Sequence, residues 1–375
     1  MNIGELVRES IEYGVDSLPK GEPQPVGTRS RRWATPRVAL PAIVAAGVIA
    51  AVSVVAVDQF GSDEVAGPTV GATDDGADYI TWSKRVHLDG HTYKAKHAGG
   101  ETLGMSALTS AGFIYFGSDN LPHLIDRDGV ERSIGDPGKV WSMAGSADHR
   151  YAAWTTNVRR GRLTVSLFDA EAGKVTAQRT IDCGSRVPDV NQCEYATVVA
   201  DGVVYLTATS KQGPATVGWD PSLPKPDQVY QVTDPGTQLT GAAAKTVLVT
   251  GKGAVYDRDG DPVGDDWTVV PVKFDGSDVT TVLTANGRWR FTFSGEGVTP
   301  SEDTLSAVNI DTGESVELVA PAYDVRIDDD GSVLVMTSGN NSTDQAIFDC
   351  VLPSGECSTV VDDIGRSDAF AGSDS

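Results

Sequence analysis

Four cysteines are the residues of this chain whose chemistry follows most directly from their spacing. Cys350 and Cys357 flank a Pro-Ser-Gly turn between two alternating segments, so a hairpin places them opposite each other. Cys183 and Cys193 flank a loop rich in Gly, Pro, Asp and Asn. The spacing predicts two local disulfides, Cys183–Cys193 and Cys350–Cys357, although four cysteines allow three connectivities. Disulfides indicate an oxidising compartment.

A zinc site is the alternative interpretation of the cysteines. Four-cysteine zinc sites usually pair two cysteines two to four residues apart, and neither gap here is that short. Four of the five histidines, His87, His91, His97 and His123, lie close together in sequence. His87 and His91 flank the turn of one predicted hairpin, but no third ligand has a suitable spacing. We therefore predict no metal site and no cofactor.

The segment "DRDGD" at 257–261 resembles part of a calcium loop. An EF-hand loop needs its glycine at the sixth position, whereas Gly260 stands at the fourth. The same "DRDG" letters occur at 126–129, at the same point of a repeat. The sequence therefore favours a hairpin turn over an ion site at both places.

Catalytic motifs are missing from the sequence. It contains no G-x-S-x-G elbow, no H-E-x-x-H helix and no phosphate-binding loop. We predict a binding protein without catalytic residues. The alternative is an extracytoplasmic hydrolase or lyase in which carboxylates from separate turns converge as acid and base. The candidate carboxylates are Asp148, Asp201, Asp275 and Asp328.

Residues 38–57 are twenty consecutive residues without a charge. As a helix they extend about 30 Å, the thickness of the hydrocarbon core of a bilayer. Arginines precede the segment and acidic residues follow it, which predicts a cytoplasmic N-terminus and an extracytoplasmic C-terminus. A cleaved signal peptide is the alternative, but residues 1–37 are long for the charged region of such a signal.

The cytoplasmic leader 1–37 contains a predicted amphipathic helix at 2–18. Its apolar residues recur at spacings of three and four, and Pro19 ends the pattern. The apolar face consists of Ile3, Leu6, Val7, Ile11, Val15 and Leu18. Because the polar face is acidic, docking on anionic lipid is disfavoured and a cytoplasmic protein partner is the interpretation we prefer. The position of the helix resembles that in membrane-anchored regulators of sigma factors, but the zinc-type His/Cys motif of many such regulators is absent, since no cysteine precedes Cys183.

The 375-residue chain carries a formal net charge of −22, and residues 58–375 alone carry −23. An acidic surface of this size repels phosphates, which argues against nucleic acid as a partner. Residues 58–78 lack periodicity and predict a flexible acidic linker.

Residues 79–375 predict an all-β domain, because alternating runs of four to seven residues are separated by Gly, Asp, Asn and Pro. A pattern of apolar residues, an aspartate and a Gly-containing turn recurs with a mean spacing of about 43 residues, typical of four-stranded β-propeller blades. The marker aspartates are Asp89, Asp126, Asp169, Asp220, Asp257, Asp311 and Asp349. Six blades fit residues 101–361. We expect the hairpin 79–95 to join the tail near Asp368–Gly372 as a seventh blade, with six blades as the alternative.

This layout, from leader and single span to acidic linker and blades with D-x-x-x-G-x hairpins, resembles uncharacterised bitopic propeller proteins of high-GC Gram-positive bacteria. In architecture it is similar to tryptophan-aspartate repeat and Tol-type propellers. The resemblance implies an exported, non-catalytic role without a named ligand. We therefore expect a single-pass protein of the cell membrane. We expect its propeller to bind a protein or cell-envelope ligand and to signal through the helix at 2–18.

Overall fold

The computed structural model describes residues 78–81, 84–99, 105–159, 162–184, 190–225, 229–272, 279–294, 305–318, 322–327, 332–338 and 345–364. The predicted helix 2–18 and the predicted membrane segment 38–57 lie outside these residues, and so does the linker except Asp78. Within the described ranges no helix is long and apolar enough to cross a bilayer.

The described residues form seven β-sheets, which follow one another along the chain as seven blades. Blade 1 contains β1 (Tyr79–Ile80), β2 (Arg85–Leu88) and β3 (His91–Lys94). Blade 2 contains β4 (Ser106–Thr109), β5 (Gly112–Phe116), β6 (Pro122–Asp126) and β7 (Glu131–Ser133). Blade 3 contains β8 (Val140–Gly145), β9 (Tyr151–Arg159), β10 (Arg162–Asp169) and β11 (Lys174–Asp182).

The second half of the ring repeats this arrangement. Blade 4 contains β12 (Val190–Ala200), β13 (Val203–Ser210), β14 (Gly213–Trp219) and β15 (Val229–Gln231). Blade 5 contains β16 (Gln238–Ala243), β17 (Thr246–Thr250) and β18 (Thr268–Val272). Blade 6 contains β19 (Val279–Leu283), β20 (Trp289–Ser294), β21 (Ser306–Asn309) and β22 (Ser315–Glu317). Blade 7 contains β23 (Ala322–Ile327), β24 (Val333–Ser338), β25 (Gln345–Val351) and β26 (Glu356–Ile364).

Hydrophobic packing between blades closes these sheets into a ring. The described residues contain seven buried clusters, and each cluster joins one pair of neighbouring blades. Phe116 and Trp154 join blades 2 and 3, for example, with their rings edge to face at 6.0 Å. Tyr79 of blade 1 packs against Leu334 and Ile347 of blade 7, which completes the circle. The chain is therefore a seven-bladed β-propeller, and the six-blade alternative is wrong.

Five of the seven sheets have four strands and two have three. In blade 1 the predicted completion by Asp368–Gly372 lies outside the described residues. Blade 5 departs from the expected pattern because β17 and β18 pair in parallel, and Val255 and Tyr256, expected in its third strand, form only isolated bridges. A parallel partner needs a long return path, which residues 251–267 provide.

Both predicted disulfides are confirmed. Cys183 follows β11 and bonds to Cys193 in β12, so this bridge joins blades 3 and 4. Cys350 and Cys357 pair directly across the outer hairpin of blade 7. There are no free cysteines, so the zinc interpretation of these residues is wrong.

The predicted turns are also present. Asp126 Oδ1 accepts the backbone N–H groups of Asp128 and Val130, and Asp257 Oδ1 accepts those of Asp259 and Asp261. Gly129 and Gly260 supply positive φ angles of 76° and 84°. The Asx turn at Asp126 ends the third strand of blade 2. In blade 6 this role falls to Asn309 rather than the predicted Asp311, because Asn309 Oδ1 accepts the N–H of Asp311 at 3.0 Å.

Candidate binding face and histidine cluster

The two ends of the propeller carry different connections. Because antiparallel strands alternate in direction, the connections between blades lie at the same end as the turns between second and third strands. We call this end the connection face. The opposite end, called the turn face, carries the turns between first and second strands.

The first strands of the blades line the axis of the ring. Those of blades 2 to 6 contact one another in order: β4 with β8, β8 with β12, β12 with β16 and β16 with β19. Register shifts interrupt the first strands of blades 3, 4, 5 and 7 where they pair with their second strands. A bulge turns a side chain away from its regular direction, so these shifts affect which residues face the axis.

Three large hydrophobic side chains are exposed in the described part of the chain, and Trp141 is the aromatic one. It stands at the bulge at the start of β8, on the connection face, and is 51% exposed. The other tryptophans described here, by contrast, are buried in the clusters or partly buried against them. Exposure of the indole to water is unfavourable in free energy. A ligand that stacks on the ring removes this apolar surface from water, which favours binding.

A second aromatic residue lies level with Trp141 on blade 4. The backbone N–H of Ala196 donates to Ser142 Oγ at 2.8 Å, and Ser146 forms a parallel bridge with Val199. The strands β8 and β12 therefore run side by side, so Trp141 and Tyr195, one residue earlier in each strand, share a level. Tyr195 is half-buried.

Polar groups accompany these aromatic residues. Glu194 accepts hydrogen bonds from the Thr209 hydroxyl and from Gln192 Nε2. Gln238 Nε2 of blade 5 donates to Thr207 Oγ1 of blade 4 at 2.9 Å. The axis wall of blades 3 to 5 thus combines aromatic surface with hydrogen-bonding groups, the usual composition of a ligand site.

Two histidines and an aspartate gather on the connection face at the junction of blades 1 and 2. His123 Nε2 lies 3.0 Å from Asp119 Oδ2, and His97 Nδ1 lies 3.7 Å from the same oxygen. The two imidazole rings are stacked, with centroids 4.5 Å apart and planes 7° from parallel. One ligand atom from each residue lies within 4.8 Å of the others, and no other such group occurs in the described part of the chain.

The elements around this cluster hold it in place. His97 follows β3, and its carbonyl accepts the N–H of Ser118 at 2.8 Å. Asp119 lies in the turn between β5 and β6, while His123 belongs to β6. Partial burial raises the pKa of Asp119, but hydrogen bonds from the Leu121 N–H and from His123, together with the charges of both histidines, hold this pKa below its usual value.

The sequence prediction missed this cluster. His97 and His123 were noted, but Asp119 was not, because His97 reaches the other two only when the connection from blade 1 folds over blade 2. The spacing D-x-x-x-H, from Asp119 to His123, is the one local signal that could have indicated it.

His87 and His91, which flank the turn of one predicted hairpin, are not brought together. His87 pairs with Thr92 and His91 pairs with Leu88, which are adjacent positions of one ladder, so the two imidazoles point to opposite faces of the sheet. His87 is buried, stacks on Tyr79 at 4.1 Å and bonds through Nδ1 to Thr92 Oγ1 at 3.0 Å. His91 Nδ1 lies 2.9 Å from the Asp89 carbonyl.

The candidate carboxylates lie on the turn face where the structure describes them. Asp148 accepts hydrogen bonds from Ser146 Oγ at 2.5 Å and from the Arg150 N–H at 3.2 Å, so it stabilises its own turn. Asp201 occupies a turn with φ of 51°. Asp275 and Asp328 lie outside the described residues, as do the six apolar residues of the predicted partner helix.

A groove on the outer rim lies between blades 3 and 4. Its walls are the last strand of blade 3 and the segment after β14, lined by Thr176, Ala177, Gln178, Arg179, Pro221 and Ser222. The groove opens to solvent, and none of its lining residues belongs to the histidine cluster.

No protein-family model matches this chain, and no curated protein sequence is detectably similar. Solved structures give distant matches. A dihydro-heme d1 dehydrogenase, NirN, in complex with DHE is 14% identical with a TM-score of 0.45, covering 84% of this chain and 77% of that one. The mitotic checkpoint complex gives 11% identity and a TM-score of 0.42, covering 92% and 90%.

A prolyl endopeptidase gives 16% identity and a TM-score of 0.40, and the match covers 71% of this chain and 46% of that chain. The three similar proteins include both enzymes and a binding assembly. None of these likenesses supports an assignment of function.

Proposed function

We propose that this chain is a membrane-anchored, extracytoplasmic binding module that recognises a cell-envelope glycan at the axis of its connection face. Trp141 is the observation that carries the proposal, because it is an exposed aromatic side chain on a strand that lines the axis. The indole offers a flat apolar surface on which the C–H face of a sugar ring stacks. Hydrogen bonds to the hydroxyl groups of the sugar come from the side chains of Glu194, Gln192 and Gln238.

The charge of the chain restricts the ligand further. A net charge of −22 repels teichoic acids, phospholipid headgroups and nucleic acids. An uncharged glycan avoids this repulsion. The two disulfides support an oxidising location, in agreement with the membrane segment expected at 38–57.

The test is co-sedimentation of the full-length chain, purified in detergent, with insoluble cell-wall glycan from the same cells. The variants are Trp141→Ala and the matched control Val351→Ala, since Val351 is also an exposed apolar residue at 54% but lies on the outer hairpin of blade 7. Loss of a buried aromatic anchor at an interface costs about 2 kcal/mol or more, so we expect at least tenfold weaker binding for Trp141→Ala.

The control variant should bind like the wild type. Equal binding by wild type and Trp141→Ala, or no binding by either, contradicts the proposal. Release of soluble sugars by the wild-type chain supports the enzyme alternative instead.

We further propose that the predicted helix 2–18 connects the external domain to a cytoplasmic partner. Crosslinking in native cells compares wild type with the double variant Leu6→Asp plus Ile11→Asp. A specific crosslinked partner that is lost in the double variant supports a docking helix, because the charges fall on its apolar face. Persistence of the same partners, or capture of none, contradicts it.

A further inference from the structure

We propose that His97, Asp119 and His123 bind one divalent transition-metal ion, with Zn²⁺ as the reference ion, at the junction of blades 1 and 2. The proposal goes beyond glycan binding and does not depend on it. It uses Asp119 and His123, which are four residues apart in the sequence, and His97, which the fold brings beside them.

The donor atoms and their spacing suit such an ion. Two imidazole nitrogens and one carboxylate oxygen are common protein ligands of Zn²⁺, with the fourth position left to water or to a ligand. Bonds of about 2.0–2.1 Å place neighbouring ligand atoms about 3.3 Å apart in a tetrahedral site. The two distances to Asp119 Oδ2, 3.0 Å from His123 and 3.7 Å from His97, lie on either side of this value.

A second layer of residues orients the ligands. Glu131 accepts the backbone N–H groups of Lys96 at 3.1 Å and His97 at 3.4 Å, and it also accepts the hydroxyl of Tyr115. The Tyr115 ring stacks against His123, with centroids 5.5 Å apart. Glu131 and Tyr115 therefore link the backbone at His97 to the ring of His123.

Gly117 leaves the space that the donors occupy. A Cβ atom at this position would lie 2.3 Å from Asp119 Oδ1 and 2.8 Å from His123 Nε2. Gly117 is not among the residues with positive φ, so its backbone conformation does not require glycine. The glycine is needed for space, because the aspartate and the histidine lie over its Cα.

One side of the site is buried and the other side is exposed to solvent. The His123 side chain is 3% exposed, whereas those of Asp119 and His97 are 35% and 51% exposed. An ion can enter from solvent, and the exposed His97 ring can turn from its stacked position to bring its nitrogen toward the ion. The acidic surface raises the local concentration of cations.

Isothermal titration of the full-length chain in detergent with Zn²⁺ tests the proposal, with excess Mg²⁺ present to occupy non-specific carboxylates. The variants are His97→Ala and Gly117→Ala, and His91→Ala is the matched control because His91 is an exposed histidine outside the cluster. Circular dichroism without metal shows whether each variant folds. His97→Ala removes a half-exposed side chain and should fold like the wild type.

We expect one Zn²⁺ per wild-type chain, at least tenfold weaker binding for His97→Ala and Gly117→Ala, and unchanged binding for His91→Ala. No stoichiometric binding by the wild type overturns the proposal. It is also overturned if His97→Ala binds like the wild type, or if His91→Ala weakens binding as much as His97→Ala. Binding of Zn²⁺ is measured without glycan, so its failure leaves the proposed function untouched.

Discussion

Closure of the ring depends on Tyr79, and its replacement by alanine should destabilise the whole propeller. Tyr79 is 2% exposed and packs against Leu334, Met336 and Ile347 of blade 7, while its ring stacks on His87 at 4.1 Å. Among the described residues, Tyr79 is the blade 1 side chain in the buried cluster shared with blade 7.

The size of the effect follows from the volume removed. Truncating a buried aromatic residue to alanine costs about 3–5 kcal/mol, from lost burial and from the cavity left behind. The assay is urea denaturation followed by the fluorescence of the buried Trp154 and Trp219. Phe291→Ala is the matched control, since Phe291 is 0% exposed and belongs to the cluster between blades 6 and 7.

Both variants should lose similar stability, but only Tyr79→Ala should open blade 1. Limited proteolysis under native conditions should then cut within 84–99 faster in Tyr79→Ala than in Phe291→Ala. A loss below about 1 kcal/mol for Tyr79→Ala, or identical cleavage of the two variants, refutes closure through this residue.

Three further changes have defined outcomes. Arg127→Ala should lower the free energy of unfolding by about 3 kcal/mol, because the Arg127 guanidinium lies 2.7 Å from the buried Asp78 carboxylate. Arg288→Ala is the control, since Arg288 and Asp311 are both exposed and lie 3.8 Å apart. It should change the free energy of unfolding by less than about 1 kcal/mol. Replacing Cys183 and Cys193 by alanine should cost about 3 kcal/mol in urea denaturation, since the bridge closes a loop across a separation of 10 residues, and an unchanged midpoint contradicts this. Burial raises the pKa of Tyr205 to about 12, against about 10 in the unfolded chain. Because the folded state holds this proton more tightly, the contribution of Tyr205 to stability should be full below pH 10 and be lost, by roughly 3 kcal/mol, as the pH rises through about 12. Burial also raises the pKa of Tyr115 and of Tyr230, so Tyr205→Phe should make the alkaline decline smaller without abolishing it, and an unchanged decline contradicts this.

The features that were predictable from sequence are local ones. The disulfide Cys350–Cys357 closes a hairpin whose turn residues stand between the cysteines, and the turns at Asp126 and Asp257 are set by an aspartate followed by a glycine. The recurrence of such turns indicated the blades, but the choice of seven blades over six depended on the contact between blades 1 and 7, which are far apart in sequence.

The features that were not predictable depend on distant parts of the chain. The parallel pairing of β17 with β18 joins segments separated by a long return path, and no pattern of alternation distinguishes a parallel partner from an antiparallel one. The exposure of Trp141 depends on a bulge against β9, and the histidine cluster depends on the fold of the connection from blade 1 over blade 2.

Protease treatment of intact cells tests most directly that the propeller is displayed outside the cytoplasm on an anchored chain. The chain carries one epitope tag at the N-terminus and one at the C-terminus, and a cytoplasmic protein serves as the control for lysis. We predict that the C-terminal tag is removed, while a short membrane-bound fragment with the N-terminal tag survives. Full protection of the C-terminal tag in intact cells, or release of the untreated chain into the medium, contradicts this topology.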